Sequence, residues 1–179
     1  MKLTINFIFL VCVALSFGQE KKNVPTEIIE AIKNDVWMPF MESYAELDSD
    51  KLKSIHSKDI VRVTIDQNEI RTGQPYIDYF SGFLDIVKER GSQVSIAFAI
   101  LSTAVDESGD LGYQTGYYCY SSKRKDDEKM IPRGYGYFNV GLKKVNGTWK
   151  IWLDSDKNAE ITHEDFKNHE TVYELSRSS

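Results

Sequence analysis

From Thr26 to Leu47, apolar residues return at Ile28, Ile29, Ile32, Val36, Phe40, Tyr44 and Leu47, the spacing of one helix face. Thr26 stands where an N-cap belongs, with Pro25 just before it. Pro39 interrupts the stretch, so a kink or split is expected near Met38. Asp48, Ser49 and Asp50 offer a break and a new cap for a short second helix, KLKSIH, which buries Leu52 and Ile55. IVRVTID, residues 60–66, alternates with period two and predicts a half-buried strand. EIRTG continues it after a turn at Gln67 and Asn68. Residues 75–90 form an amphipathic helix with Tyr76, Tyr79, Phe80, Phe83, Leu84 and Val87 as its stripe, and Gly91 ends it.

From Ser92 onward the pattern is almost all strand: SQVSIAFAILSTAV, LGYQTGYYCYSS, MIPRGYGYFNVGLKKV and TWKIWLDSD. The last two are joined by Asn146-Gly147, a strong two-residue hairpin signal. An uninterrupted ladder from that turn pairs Val145 with Thr148, Leu142 with Ile151 and Val140 with Leu153. The other face then pairs Gly141 with Trp152, Asn139 with Asp154, and Tyr137 with Asp156, and extends back to Tyr135 and Arg133. One face is aliphatic; the other mixes aromatics, an amide, carboxylates and a guanidinium. A ligand pocket is mostly apolar with a few convergent polar groups, which fits the mixed face better. Alternation separates faces without saying which is inside, so the mixed face as a solvated or dimeric outer side stays open.

Composition narrows the class. The 179 residues are 41% hydrophobic and carry a formal net charge of −5, suiting one globular domain and giving no reason to expect a nucleic-acid partner. Residues 1–19 read as a signal peptide, with Lys2 before the apolar run INFIFLVCVALSF and small residues at its end. The run is too short to span a bilayer, so an exported chain, periplasmic or extracellular, with no stable membrane anchor is expected. Residues 20–25 follow as a linker and 26–157 as the domain. Residues 158–179 form a C-terminal tail, with a helix capped by Thr162. Cleavage would leave Cys119 as the sole thiol, with no disulfide, and its aromatic surroundings suit a buried apolar role. KRKDDEK, residues 123–129, reads as a solvated loop. His163 and His169 lack the spacing of a zinc helix, and there is no Gly-rich phosphate loop or nucleophile elbow, so no metal or cofactor is expected.

The order of these elements, with SYAELDSDKLKSIHSKDIVRV and VNGTWKIWLD, resembles the nuclear transport factor 2-like superfamily, in its SnoaL-like and ketosteroid-isomerase-like branches. The resemblance implies an α+β cone: a strongly curved antiparallel sheet with three N-terminal helices closing its concave face over a pocket. It also implies a homodimer through the sheet. It places Tyr44 as an oxyanion donor and Asp66 as a general base; the second acid of the isomerases has no counterpart in RGYGYFNVGLKK. The superfamily's epoxide hydrolases combine similar residue types, which makes Asp154 a further catalytic candidate. Trp152, Asn139, Tyr137, Tyr135 and Arg133 are the ligand-binding candidates. The expected function is binding of a small, mostly apolar molecule. The alternatives are an isomerase, dehydratase or epoxide-hydrolase-like enzyme using Asp66 or Asp154, or a structural homodimer with a vestigial pocket.

Overall fold

The structure, a computed structural model, describes residues 23–175; the apolar segment at residues 5–17 lies outside the described residues. The first helical body runs through α1 (Thr26–Ile32), a π-helical turn (Lys33–Trp37) and α2 (Met38–Glu46). Pro25 rather than Thr26 holds the cap position, its carbonyl accepting from the amides of Ile28 and Ile29. Pro39 neither breaks nor sharply splits the helix. A proline clashes with the carbonyl four residues earlier, here that of Asp35. The wider turn, in which the Met38 amide donates to the Lys33 carbonyl, absorbs the misfit before Pro39 enters the first turn of α2. The body ends on Leu47 in the left-handed region (φ 54°), with the Asp48 amide donating to the Ser43 carbonyl at 2.9 Å. Asp48 caps α3 (Ser49–Ser54), its carboxylate accepting from the Lys51 amide at 2.9 Å.

β1 (His56–Thr64), a turn and β2 (Glu69–Thr72) lead into α4 (Gly73–Glu89). β3 (Gln93–Val105), β4 (Leu111–Lys123), β5 (Ile131–Val145) and β6 (Thr148–Asn158) follow as a meander. The tail forms α5 (His163–Lys167) and β7 (Thr171–Tyr173). The sheet order is β2-β1-β6-β5-β4-β3-β7, antiparallel throughout except for the parallel pair β1 and β6. Register shifts interrupt the β3–β4, β4–β5 and β5–β6 ladders. Such bulges bend strands and increase their twist, which curves this unclosed sheet. The helices pack into its concave side, and the main core of Trp37, Phe40, Met41, Leu84, Phe98, Phe138, Leu142, Trp149 and Ile151 lies between.

The bulge in the last hairpin changes the expected register. Asn146 and Gly147 both have positive φ (53° and 82°), as the two-residue turn requires, and Val145 pairs with Thr148 and Leu142 with Ile151 as expected. Beyond them the ladder slips by one residue: Gly141 pairs with Leu153, Val140 with Asp154, and Phe138 with Asp156. Trp152 is the extra residue. A Cβ on Gly141 would lie 2.9 Å from both the Trp152 indole and the Leu153 Cβ, so only glycine leaves room for two side chains opposite one position. Trp152 and Leu153 therefore share the outer face. Asp154 and Asp156 turn inward with Val140 and Phe138, opposite to the face an unbroken ladder assigns them.

The tail crosses the outer face. Phe166, fully buried, packs on Ala99 and Cys119, with Tyr135, Tyr117 and Val172 around them. Thr162 and Asp165 form a reciprocal capping box at the start of α5. The helix stops at Lys167, and Thr171–Tyr173 then pairs with Phe98–Ile100 at the edge of the sheet.

Candidate functional site

A cavity of about 380 Å³ lies between the helices and the concave face. Most of its wall is aromatic or aliphatic: Trp37, Phe40 and Tyr44 from the first helical body, Phe80 from α4, and Ile96, Phe98, Tyr118, Tyr120, Phe138, Val140 and Ile151 from the sheet. The π turn sets one end of it. Asp35 accepts from the Trp149 amide at 3.0 Å, and the Trp37 indole N–H donates to the buried Gln114 at 2.8 Å; Gln114 in turn donates to Thr103 at 2.9 Å. Two glycines let rings lie flat on the sheet. A Cβ at Gly116 would meet the Phe138 ring at 2.7 Å, and one at Gly136 would meet the Tyr118 ring at 2.2 Å.

The polar groups gather on β1 and β6. Arg62 pairs with Asp154 across the parallel ladder. Its Nη1 lies 2.6 Å from Asp154 Oδ2 and its Nη2 2.6 Å from Asp156 Oδ1. All three side chains are largely buried, between 11% and 15% exposed. Burial works against the Arg62 charge, yet the two carboxylates hold its guanidinium above its ordinary value. Burial raises the Asp156 carboxyl, while Arg62 and the nearby Tyr118 hydroxyl pull it back. Burial also lifts the Tyr118 phenol to about 12 and pushes Tyr44 higher still, aided by Tyr120, Tyr118 and Asp154. Both phenols are therefore hydrogen-bond donors at neutral pH.

The expected site residues divide. Tyr44, Asp154 and Arg133 line the cavity. Tyr135 touches its wall, but its ring packs outward on Phe166 and its hydroxyl lies 3.0 Å from His163 Nδ1. Tyr137 packs on Tyr117 with ring centroids 5.4 Å apart, and Asn139 accepts from the Tyr113 hydroxyl at 3.1 Å, both away from the cavity. Trp152 lies over Gly141 on that same outer side. Asp66 sits exposed in the turn after β1, where its carboxylate accepts from the Asn158 amide at 2.6 Å; that is a strand tie, outside the cavity wall. Arg62 and Asp156 were not among the expected residues. Arg62 had a signal, since period two from the core residue Ile60 points it inward. Asp156 had one as well, since period two from Asp154 puts both carboxylates on one face.

No family model matches the chain, and no curated protein matches it. Solved structures do. An NTF-2-like protein of unknown function from Shewanella oneidensis MR-1 superposes with a TM-score of 0.53 at 16% identity, over 75% of this chain and 99% of its own. A ketosteroid isomerase-like protein from Erwinia carotovora atroseptica gives 0.54 at 14% identity, over 76% and 100%. An NTF2-like protein with a cystatin-like fold from Novosphingobium aromaticivorans gives 0.57 at 10% identity, over 78% and 86%. The curved seven-stranded sheet, the helices across its concave face and these superpositions agree: the chain has the nuclear transport factor 2-like fold.

Proposed function

We propose that the protein binds a small, largely apolar, ring-bearing molecule in the concave cavity, with the Arg62–Asp154–Asp156 cluster reading a polar group at one end. The carrying observation is that cluster, set in an otherwise aromatic wall. Burying three charged groups costs several kcal/mol each, and well-packed apolar residues commonly replace such clusters without loss of stability. A polar ligand group meeting the carboxylates gives these charges a use that stability does not. The volume falls within the range of small-molecule sites. Thermal shift and calorimetry with aromatic hydroxyl compounds test the reading against a Val140→Phe variant, which fills the cavity. Wild-type stabilisation that disappears in a folded V140F is expected. Equal binding by both proteins contradicts the reading.

A second reading is supported by Asp156. A carboxyl raised by burial, beside a guanidinium and a phenol, is the setting of a general acid or base. Turnover of an aryl epoxide that falls at least a hundredfold in Asp156→Asn would support it. Turnover unchanged in that variant would remove it. Export is our reading of residues 1–19; a mature product beginning after Gly18 or Gln19 in the secreted or periplasmic fraction is its test.

A further inference from the structure

Beside the main cavity lies a second one of about 410 Å³, and Tyr120 and Arg133 line both. Its floor is apolar, from Phe83, Val87 and Val94, but its rim holds Arg90, Arg124 and Arg133. These are three of the chain's six arginines, in a protein of net charge −5. Arg133 is committed, donating to Ser122 at 2.9 Å and pairing with Asp127. Among the described residues no carboxylate meets the side chain of Arg90 or Arg124, and no carboxylate lines this cavity. Two exposed guanidiniums thus stand over an apolar floor that continues into the aromatic cavity.

We infer that this second cavity is the anion end of the same site, so that the ligand is an elongated, ring-bearing hydroxycarboxylic acid: its apolar body fills the main cavity, its hydroxyl meets Asp154 and Asp156, and its carboxylate sits among Arg90, Arg124 and Arg133. This rests on the binding reading above. A planar carboxylate matches the donor fork of a guanidinium. A single negative charge also tolerates two aspartates at the far end better than a dianion does. The length follows from β5. Arg133 lies five residues from Phe138, the partner of Asp156, which is roughly 17 Å of strand at about 3.4 Å per residue. Long side chains reaching inward from both ends shorten that span toward the length of two or three linked rings.

The test uses 4′-hydroxybiphenyl-4-carboxylate, its primary carboxamide, and biphenyl-4-carboxylate, titrated by calorimetry into the wild type, Arg90→Gln/Arg124→Gln and Val140→Phe. Arg90 and Arg124 are exposed, so the double variant is expected to keep its thermal midpoint. The expected result is a carboxylate bound about tenfold more tightly than the carboxamide by the wild type, a preference that shrinks with added salt and vanishes in the double variant. Loss of the hydroxyl is expected to weaken binding by the wild type and the double variant alike. Equal affinity for acid and amide, with V140F losing both, overturns the anion end and leaves the cavity reading standing. A preference for the acid that survives in the double variant also overturns it. No binding of any of the three compounds at millimolar concentration overturns both.

Discussion

The two faces of one sheet are built to different ends. The concave face is bent further by bulges, and it keeps an unfilled volume of about 380 Å³ walled by aromatic rings. It also buries an arginine and two aspartates against each other. Part of the outer face of the same strands is covered by the chain's own tail: Phe166 from α5 closes over Ala99 and Cys119, and Tyr117 stacks on His169 with ring centroids 5.4 Å apart. Close packing serves stability, and an unfilled volume lined by buried charge serves it poorly, which is the contrast the proposed binding rests on. Substitutions on the outer face should therefore change stability and leave binding alone. Substitutions in the Arg62 cluster should change both.

The largest expected effect is that of Arg62→Met. It leaves two buried carboxylates facing each other without a cation and should cost about 3–5 kcal/mol by urea unfolding at pH 7. The Asp156 carboxyl, raised by burial, then loses the guanidinium that pulls it back, so stability should recover as the pH falls and it binds a proton. A variant as stable as wild type at pH 7 would make the cluster a surface feature. Next is Phe166→Ala, which removes a fully buried ring from the outer face and should cost about 3 kcal/mol. Limited proteolysis should cut the tail near Lys167, while probe affinity stays within about twofold of wild type. A large loss of affinity would break the separation of the two faces.

His56 gives a third test, with a pH slope opposite to that of Arg62→Met. Its ring is buried, with Nδ1 donating to the Leu52 carbonyl at 2.9 Å and Nε2 meeting no partner among the described residues. Burial lowers its pKa from 6.5 to about 4. For a base lowered on folding, the stabilisation is complete above pH 6.5 and is lost as pH falls toward 4, amounting to roughly 3 kcal/mol. Urea midpoints between pH 7 and 4 should show this loss in the wild type and a flatter profile in His56→Gln. The smallest effect is expected for Gly136→Ala, at about 1–2 kcal/mol. Its Cβ would strike the Tyr118 ring and move that hydroxyl away from Asp156, so binding of hydroxylated probes should weaken more than stability does.

Most of the fold was readable because its signals are local. Apolar spacing located the helices, Asp48 and Thr162 their caps, and Asn146-Gly147 the turn that sets the first pairs of the last hairpin. The site was less readable because it depends on one residue of slip. Period two carries every side chain to a definite face, so a single bulge reverses all assignments beyond it. Gly141 permits that bulge, but a glycine in a strand does not announce what will lie opposite it. Hence Trp152, Asn139 and Tyr137 were expected in the pocket and stand outside, and Asp156 was expected opposite Tyr137 and lies opposite Phe138, inside. Asp66 was placed by analogy with a base, whereas the turn that follows β1 carries it beyond the cavity wall. Arg62 was readable from its alternation with Ile60 and needed no bulge at all.

The central claim is that ligands enter the concave face beside Asp154 and Asp156. Intermolecular NOEs from bound 4′-hydroxybiphenyl-4-carboxylate to methyl-labelled protein test it most directly. We expect cross-peaks to Ile96, Val140 and Ile151, which line the cavity, and none to Leu153 or Val172 on the outer face. Cross-peaks to Leu153 and Val172, with none to the cavity methyls, would contradict the account.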